Sequence, residues 1–370
     1  GHASYGSVWR ARVDSAAEPA VEVAVKIVPL HADLEEGEVQ TELEREIALM
    51  RTFTHANIVT FHDAFRATDA AEIWVVMELC ELGSIRDVIR RLGPLKEADA
   101  AAVTHDVLTG LQYLHGHRHT VHRDVKGANI LLGAPGMVKL ADFGVSAALD
   151  GTLGVQHTVI GTPQWMAPEV ISGEGYDASV DVWSVGVTVI ELIDGSPPHA
   201  AVASPMAAMF AIVNGPPPAP TSRASARLTR FLKRCLAKQP AERATCAQLL
   251  DGGADGRSAF GAKGRPSVLA ALANRARSAN IKSELRDAAG ADAPPPRRAR
   301  RNADGVGRHA DCAARRAGGG TPFAAGEATP IGEHTASALG SASALRSSLG
   351  ELAGADADAD DQDPFAGGDS

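Results

Sequence analysis

Cysteine is scarce in this chain of 370 residues, and Cys80, Cys235, Cys246 and Cys312 stand far apart, with neither a C-x-x-C pair nor finger spacing. Neither a disulfide framework nor a structural zinc site is suggested, and a reducing compartment, cytosolic with passage to the nucleus, fits. Positive charge is in deficit as well. Lys and Arg number 36 against 45 Asp and Glu, a formal charge of −9, which argues against a wholly nucleic-acid-binding chain. No uninterrupted apolar run nears the roughly 18–20 residues of a membrane span, and the opening Gly1-His2-Ala3-Ser4-Tyr5-Gly6 is not a signal peptide. Because the chain starts on Gly1 and not on Met, an N-terminal portion is expected to be missing.

Aromatic residues are few and unevenly spread. Of 9 Phe, 4 Trp and 3 Tyr, only Phe323 and Phe365 lie beyond Phe260, too few to seed a second core. One globular unit over residues 1–260 is expected, close to the upper end of domain size. Within it, Val21 to Val28 and Ile73 to Leu79 read as strands, and Glu35 to Arg51 as a helix with Leu43, Ile47 and Met50 on one face. From Leu82 onward helical periodicity dominates, at Asp99–His115, Val180–Asp194, Met206–Asn214 and Leu228–Lys238. The fold class is therefore α+β: a small antiparallel β lobe with one helix (residues 1–81) and a larger, mainly α-helical lobe (82–260). Two unlike lobes invite a ligand cleft between them. A flanking helical segment is expected over 261–285, centred on Ser267 to Ala276, and a disordered tail over 286–370.

The segment His122-Arg123-Asp124-Val125-Lys126-Gly127-Ala128-Asn129 is followed, thirteen residues after Asn129, by Asp142-Phe143-Gly144. Transfer of a γ-phosphoryl group needs a carboxylate to orient the attacking hydroxyl, a cation near the moving phosphate and oxygen ligands for magnesium. Asp124 suits the first need, Lys126 the second, and Asn129 with Asp142 the third. Lys26, in the strand-like Val-Ala-Val-Lys run, suits the α/β-phosphates, with Glu46 on the following helix as its partner; Glu42 and Glu44 would point to other faces. His115, His117, His119 and His122 crowd closely enough to suggest a metal site, yet the stretch reads better as a helix end and turn leading to Asp124.

Taken in order, these motifs resemble the eukaryotic protein kinases: a Gly-rich loop, then Val23 to Lys26, His122 to Asn129, Asp142 to Gly144 and Ala167-Pro168-Glu169, over about residues 1–250. Lys126 and Gly161-Thr162 are similar to the serine/threonine class. The runs HRDVKGANILL, KLADFGVSA, TVIGTPQWMAPEVI and SVDVWSVGVTVIEL resemble the sterile-20-like kinases of the germinal-centre group. Pro205 to Phe210 with its following prolines, and Phe260 to Gly264, resemble the Hippo (mammalian sterile-twenty-like) branch.

The resemblance implies a two-lobed fold and phosphorylation of protein Ser/Thr in a signalling cascade, with ATP and Mg2+ as cofactors. It assigns ATP contacts to Gly1, Ala3, Gly6, Val8, Ala24, Lys26, Glu46, Met77, Glu78, Cys80 and Leu131, with Met77 at the back of the adenine pocket and Glu78 to Cys80 as the hinge. Asn129 and Asp142 are the expected magnesium ligands. Thr158 is the expected activating phosphosite, its phosphate pairing with Arg123, while Thr162 contacts the catalytic aspartate. Glu169 is expected to pair with Arg243. Partners would be protein substrates, among them a downstream kinase or adaptor, and a second copy for autophosphorylation in trans. Ala3 stands where the pattern has its middle glycine and predicts weaker ATP binding; a strand before Gly1 is expected to be missing, which predicts lower stability or activity. A non-catalytic scaffold, and a tail acting through Thr321-Pro322 and Thr329-Pro330, are the competing expectations.

Overall fold

The computed structural model describes residues 7–13, 21–29, 47–66, 72–142, 163–202, 204–251 and 265–291, with side chains to residue 283. Four strands, β1 (Ser7–Val13), β2 (Val21–Pro29), β3 (Phe61–Arg66) and β4 (Glu72–Glu78), form an antiparallel sheet in the order β1-β2-β4-β3. Side chains alternate across a strand, so the register decides which residues share a face. Ala24 lies opposite Met77 and Lys26 opposite Val75, which sets all four on one side. Val23, Val25 and Val76 pack on the other side with Phe65 and Trp74. β3 lacks a β-branched run; its Asp63 is buried and is held by Arg51, with Nη2 2.5 Å from Oδ1. Residues 47–51 are helical, the end of the helix expected over Glu35 to Arg51. Its earlier residues, Glu46 included, lie outside the described residues.

The helical lobe contains α1 (Ile85–Leu92), α2 (Glu97–His117), a hairpin of β5 (Ile130–Gly133) and β6 (Met137–Leu140), α3 (Pro168–Ser172), α4 (Ser179–Asp194), α5 (Pro205–Asn214), α6 (Ala226–Cys235), α7 (Cys246–Leu250) and α8 (Arg265–Ala291). α4 is buried at every position from Val180 to Ile193, as expected of a helix that is apolar nearly all round and forms the axis of a core. Helix starts carry their own signals: Ser84 and Thr245 form capping boxes with Asp87 and Gln248, and Ser204 and Ser225 accept from Ala207 and Leu228 amides.

Two helix C-termini differ from expectation by three residues or more. α6 stops at Cys235 rather than Lys238, because the carbonyls of Ala237 and Lys238 turn aside to accept from Arg243 at 2.9 and 3.3 Å. α8 runs to Ala291, past the boundary expected at 285; its last stretch, Ser-Glu-Leu-Arg-Asp-Ala-Ala, is rich in helix formers although it lacks apolar periodicity. Leu269, Leu272, Ala273 and Ala276 of α8 are buried in the main core, so the segment packs as part of the lobe. The expected disordered tail beyond Ala291 lies outside the described residues.

Candidate active site

α4 builds the site from behind. Asp181, Ser184, Thr188 and Glu191 recur at intervals of three or four residues, so they form one polar stripe on an otherwise apolar helix. That stripe faces the segment carrying Asp124. Asp181, fully buried, accepts from the His122 amide through Oδ2 and from the Arg123 amide through Oδ1, each at 2.8 Å. His115 Nε2 lies 2.8 Å from the same Oδ2. Thr188 Oγ1 lies 3.3 Å from the Val125 carbonyl, and Glu191 Oε2 accepts from the Gly127 amide at 2.9 Å. Gly127 is needed for this approach, since a Cβ there would sit 2.9 Å from both Glu191 oxygens.

Arg123 adopts φ 69° and Asp142 φ 64°, left-handed conformations that cost a non-glycine residue of order 1–3 kcal/mol. Asp181 supplies the compensating bond at Arg123. At the other strained residue, His122 Nε2 lies 3.1 Å from the Ala141 carbonyl and so links the two segments.

The Asp124 carboxylate is oriented by its neighbours. Asn129 Nδ2 donates to Asp124 Oδ2 at 2.7 Å and to the Asp124 carbonyl at 2.8 Å, and Lys126 Nζ lies 2.8 Å from Oδ2. Among the described residues Oδ1 has no partner, and the Asp124 side chain is 41% exposed, so one carboxylate oxygen faces outward. Because both Asn129 contacts use its amide nitrogen, its carbonyl oxygen remains as an acceptor suited to a hard cation.

Between the lobes lies a cleft with about 1380 Å³ of empty space including its mouth, ample for a nucleotide. Val8, Ala24, Lys26, Met77, Glu78, Cys80, Leu131, Asn129 and Asp142, each predicted from sequence, all line it. Lys26, buried, reaches Asp142 Oδ1 at 2.5 Å. Its expected partner Glu46 lies outside the described residues, as do Gly1, Ala3, Gly6, Phe143, Gly144, Thr158 and Thr162. Met77 lines both the cleft and a smaller pocket that Met50, Phe53, Phe61 and Val75 share with Lys26 and Asp142.

A buried lysine holds the carboxylate at the end of β4. Burial pushes the Glu78 carboxyl up, but hydrogen bonds from Lys139 and Thr60 and the Lys139 charge outweigh it and leave Glu78 below the usual carboxylate range. Lys139 Nζ sits 2.8 Å from Glu78 Oε2. The Cys80 thiol is pushed up to about 12 by burial and the nearby Glu78 charge, so it stays neutral and unreactive. Burial also raises Glu191, against the opposing bond from Gly127.

Sequence reasoning missed Asp181, Glu191 and Lys139 as supports of the site. A polar residue recurring on one face of the most apolar helix was the available signal for the first two. Lys139, in a four-residue strand, gave none. Three of the four crowded histidines have contacts within the lobe: His115 bonds Asp181 and lies 3.7 Å from Cys246 Sγ, His122 bonds the Ala141 carbonyl, and His117 packs near the Tyr113 ring. Among the described residues, no helix is long and apolar enough to cross a membrane.

A family model described as the protein kinase domain matches residues 1–252, well over half of the chain. The chain belongs to that family.

Proposed function

We propose that this protein kinase transfers the γ-phosphoryl group of ATP to serine or threonine hydroxyls of other proteins, within a signalling cascade in the cytosol. The observation that carries the reading is the Asp124 carboxylate, clamped on Oδ2 by Asn129 and Lys126 and open on Oδ1. Asp124 Oδ1 accepts the hydroxyl hydrogen and aims the oxygen; the new P–O bond forms as the bond from the γ-phosphorus to the bridging oxygen of ADP breaks, and the hydroxyl proton passes to Asp124. Lys126 sits beside that carboxylate, where its charge offsets the negative charge gathering on the transferred phosphoryl group. Lys26, which lines the cleft, holds the α/β-phosphates in this reading. The Asn129 carbonyl oxygen and the Asp142 carboxylate form a hard-oxygen donor set that fits magnesium, which when bound supplies neutralisation of phosphate charge.

Serine/threonine preference rests on Lys126 and on the resemblance of Gly161-Thr162 to that class. Regulation by a phosphate on Thr158 is part of the same reading. Arg123, whose guanidinium lies 5.8 Å from the Tyr176 ring centre, is the cation that would receive it. Membership of the sterile-20-like group and its Hippo branch, and autophosphorylation in trans between two copies, follow from the same sequence runs.

The test is incubation of the purified chain with Mg-ATP and a mixed Ser, Thr and Tyr peptide library. ADP release is measured, phosphosites are mapped by mass spectrometry, and Lys26→Met and Asp142→Asn serve as controls. Phosphate on Ser and Thr peptides and on Thr158, seen only with the unmutated chain, is the expected result. Nucleotide binding without transfer to any hydroxyl would overturn the reading in favour of a non-catalytic scaffold.

A further inference from the structure

α8 does more than flank the helical lobe. Leu272 and Ala276 are almost wholly buried, and two basic residues fasten the helix to α2: Arg265 Nη1 lies 2.6 Å from Asp106 Oδ1, and Arg275 Nη2 lies 2.8 Å from Asp99 Oδ2. Both acids are buried, so these pairs are shielded from solvent on one side. Three turns beyond Leu269, Asn280 accepts a hydrogen bond from Arg91 Nη1.

Arg91 is the connection to the cleft. From the end of α1 it donates Nε to the Asp87 carbonyl at 3.0 Å and Nη2 to the Leu82 carbonyl at 3.1 Å. Leu82 lies in the segment that joins β4 to α1, and Gly83, Ser84 and Asp87 of that region line the cleft. A guanidinium holding three acceptors in one plane fixes their relative positions. A second contact reaches the cleft floor. The β5–β6 turn touches the Leu269–Ala270 backbone so closely that a Cβ on Gly136 would lie 2.7 Å from it, and β5 carries Leu131. α8 thus abuts both elements that form the lower wall of the cleft.

We infer that α8 braces the nucleotide cleft, with Asn280 and Arg91 as positioning residues that hold the segment from Leu82 to Asp87 in its binding geometry. The inference rests on the reading that this cleft takes ATP. Without Asn280 one arm of Arg91 is released, the segment gains freedom, and binding must supply the cost of ordering it. The catalytic loop is held separately, by α4, so the chemical step is untouched.

The experiment compares the full chain with its Asn280→Ala and Asn280→Asp variants. It measures Mg-ATP affinity by calorimetry, KM for ATP against kcat, and amide hydrogen exchange over residues 82–87. In Asn280→Ala the expected result is KM and Kd raised about three- to tenfold, kcat unchanged and faster exchange at those amides. Asn280→Asp, which keeps an acceptor for Arg91, should restore all three. Unchanged exchange and KM in Asn280→Ala would overturn the inference. So would a loss of kcat in step with a lowered melting temperature, which would make α8 a stability element only. If the unmutated chain bound no nucleotide, the reading of the cleft would fail, and the exchange comparison would still decide whether Asn280 holds the segment.

Discussion

The Arg243 guanidinium grips the Glu169 carboxylate with two parallel bonds, Nη1 to Oε1 at 2.5 Å and Nη2 to Oε2 at 2.7 Å, with both side chains buried. The same guanidinium donates to the carbonyls of Ser179, Ala237 and Lys238 and stacks 5.1 Å from the Trp183 ring centre. It thereby joins α3, the start of α4 and the turn after α6. Removing one partner leaves an unpaired buried charge, so Arg243→Ala is expected to cost about 3–5 kcal/mol of stability in urea unfolding. Arg243→Lys cannot reproduce the two-pronged bond and should recover only part of it. A loss below about 1 kcal/mol would show that the pair is not the joint described.

Asp124 presents the opposite case, a side chain whose loss should leave the fold intact. Its carboxylate is partly exposed, and its contacts to Asn129 and Lys126 are local. Asp124→Asn is therefore expected to melt within a degree or two of the parent while kcat falls about 10²–10⁴-fold. Steady-state kinetics beside thermal melts checks both halves. Activity within a few-fold of the parent would remove Asp124 from its role.

The positions of the chemistry were more legible than the supports beneath it. Asp124, Asn129, Asp142 and Lys26 could be read because phosphoryl transfer demands those residue types in a set order; Asn129, Asp142 and Lys26 line one cleft, and Asp124 is bonded to Asn129 beside it. β2 and β4 were visible as β-branched runs, and α4 as a long apolar period. β3, with His62, Asp63 and Arg66 among six residues, carries its strand identity only through pairing with β4. The Asp181 bonds were hidden for another reason: they join residues about 60 positions apart, and no local pattern encodes that approach. The full length of α8 escaped because helix propensity, rather than an apolar stripe, carries its last turns.

The Glu78–Lys139 pair predicts an acid sensitivity at the end of β4. Glu78 titrates below the ordinary range in the folded chain, because the Lys139 and Thr60 bonds outweigh burial. Unfolded, it titrates at about 4.3. The stabilisation is therefore whole above the unfolded value and is lost as pH falls through the lower folded one. In Lys139→Met that contribution is gone, so the stability gap between parent and variant should be widest near neutrality and narrow below about pH 4. Urea midpoints across the acid range measure it. A gap constant with pH would assign the effect of Lys139 to packing alone.

Glu191 should respond to pH in the reverse sense. Burial lifts its carboxyl above the ordinary range, while the Gly127 amide and the charges of Arg86 and Lys126 pull it back only in part. A carboxyl raised in the folded state favours folding below its unfolded value, and that advantage is lost as pH rises through the folded value. At neutral pH the ionised group is thus a cost. Glu191→Gln keeps an acceptor for the Gly127 amide and removes the charge, so it should match or exceed the parent in stability at neutral pH, with the difference closing in acid. Glu191→Ala instead strands the buried Gly127 amide, at a cost of about 1–3 kcal/mol, and loosens the loop that carries Asp124 and Asn129. Its kcat should fall while that of Glu191→Gln is retained. Were Glu191→Gln as damaging as Glu191→Ala, the charge facing Arg86 and Lys126, and not the bond to Gly127, would be what holds the loop.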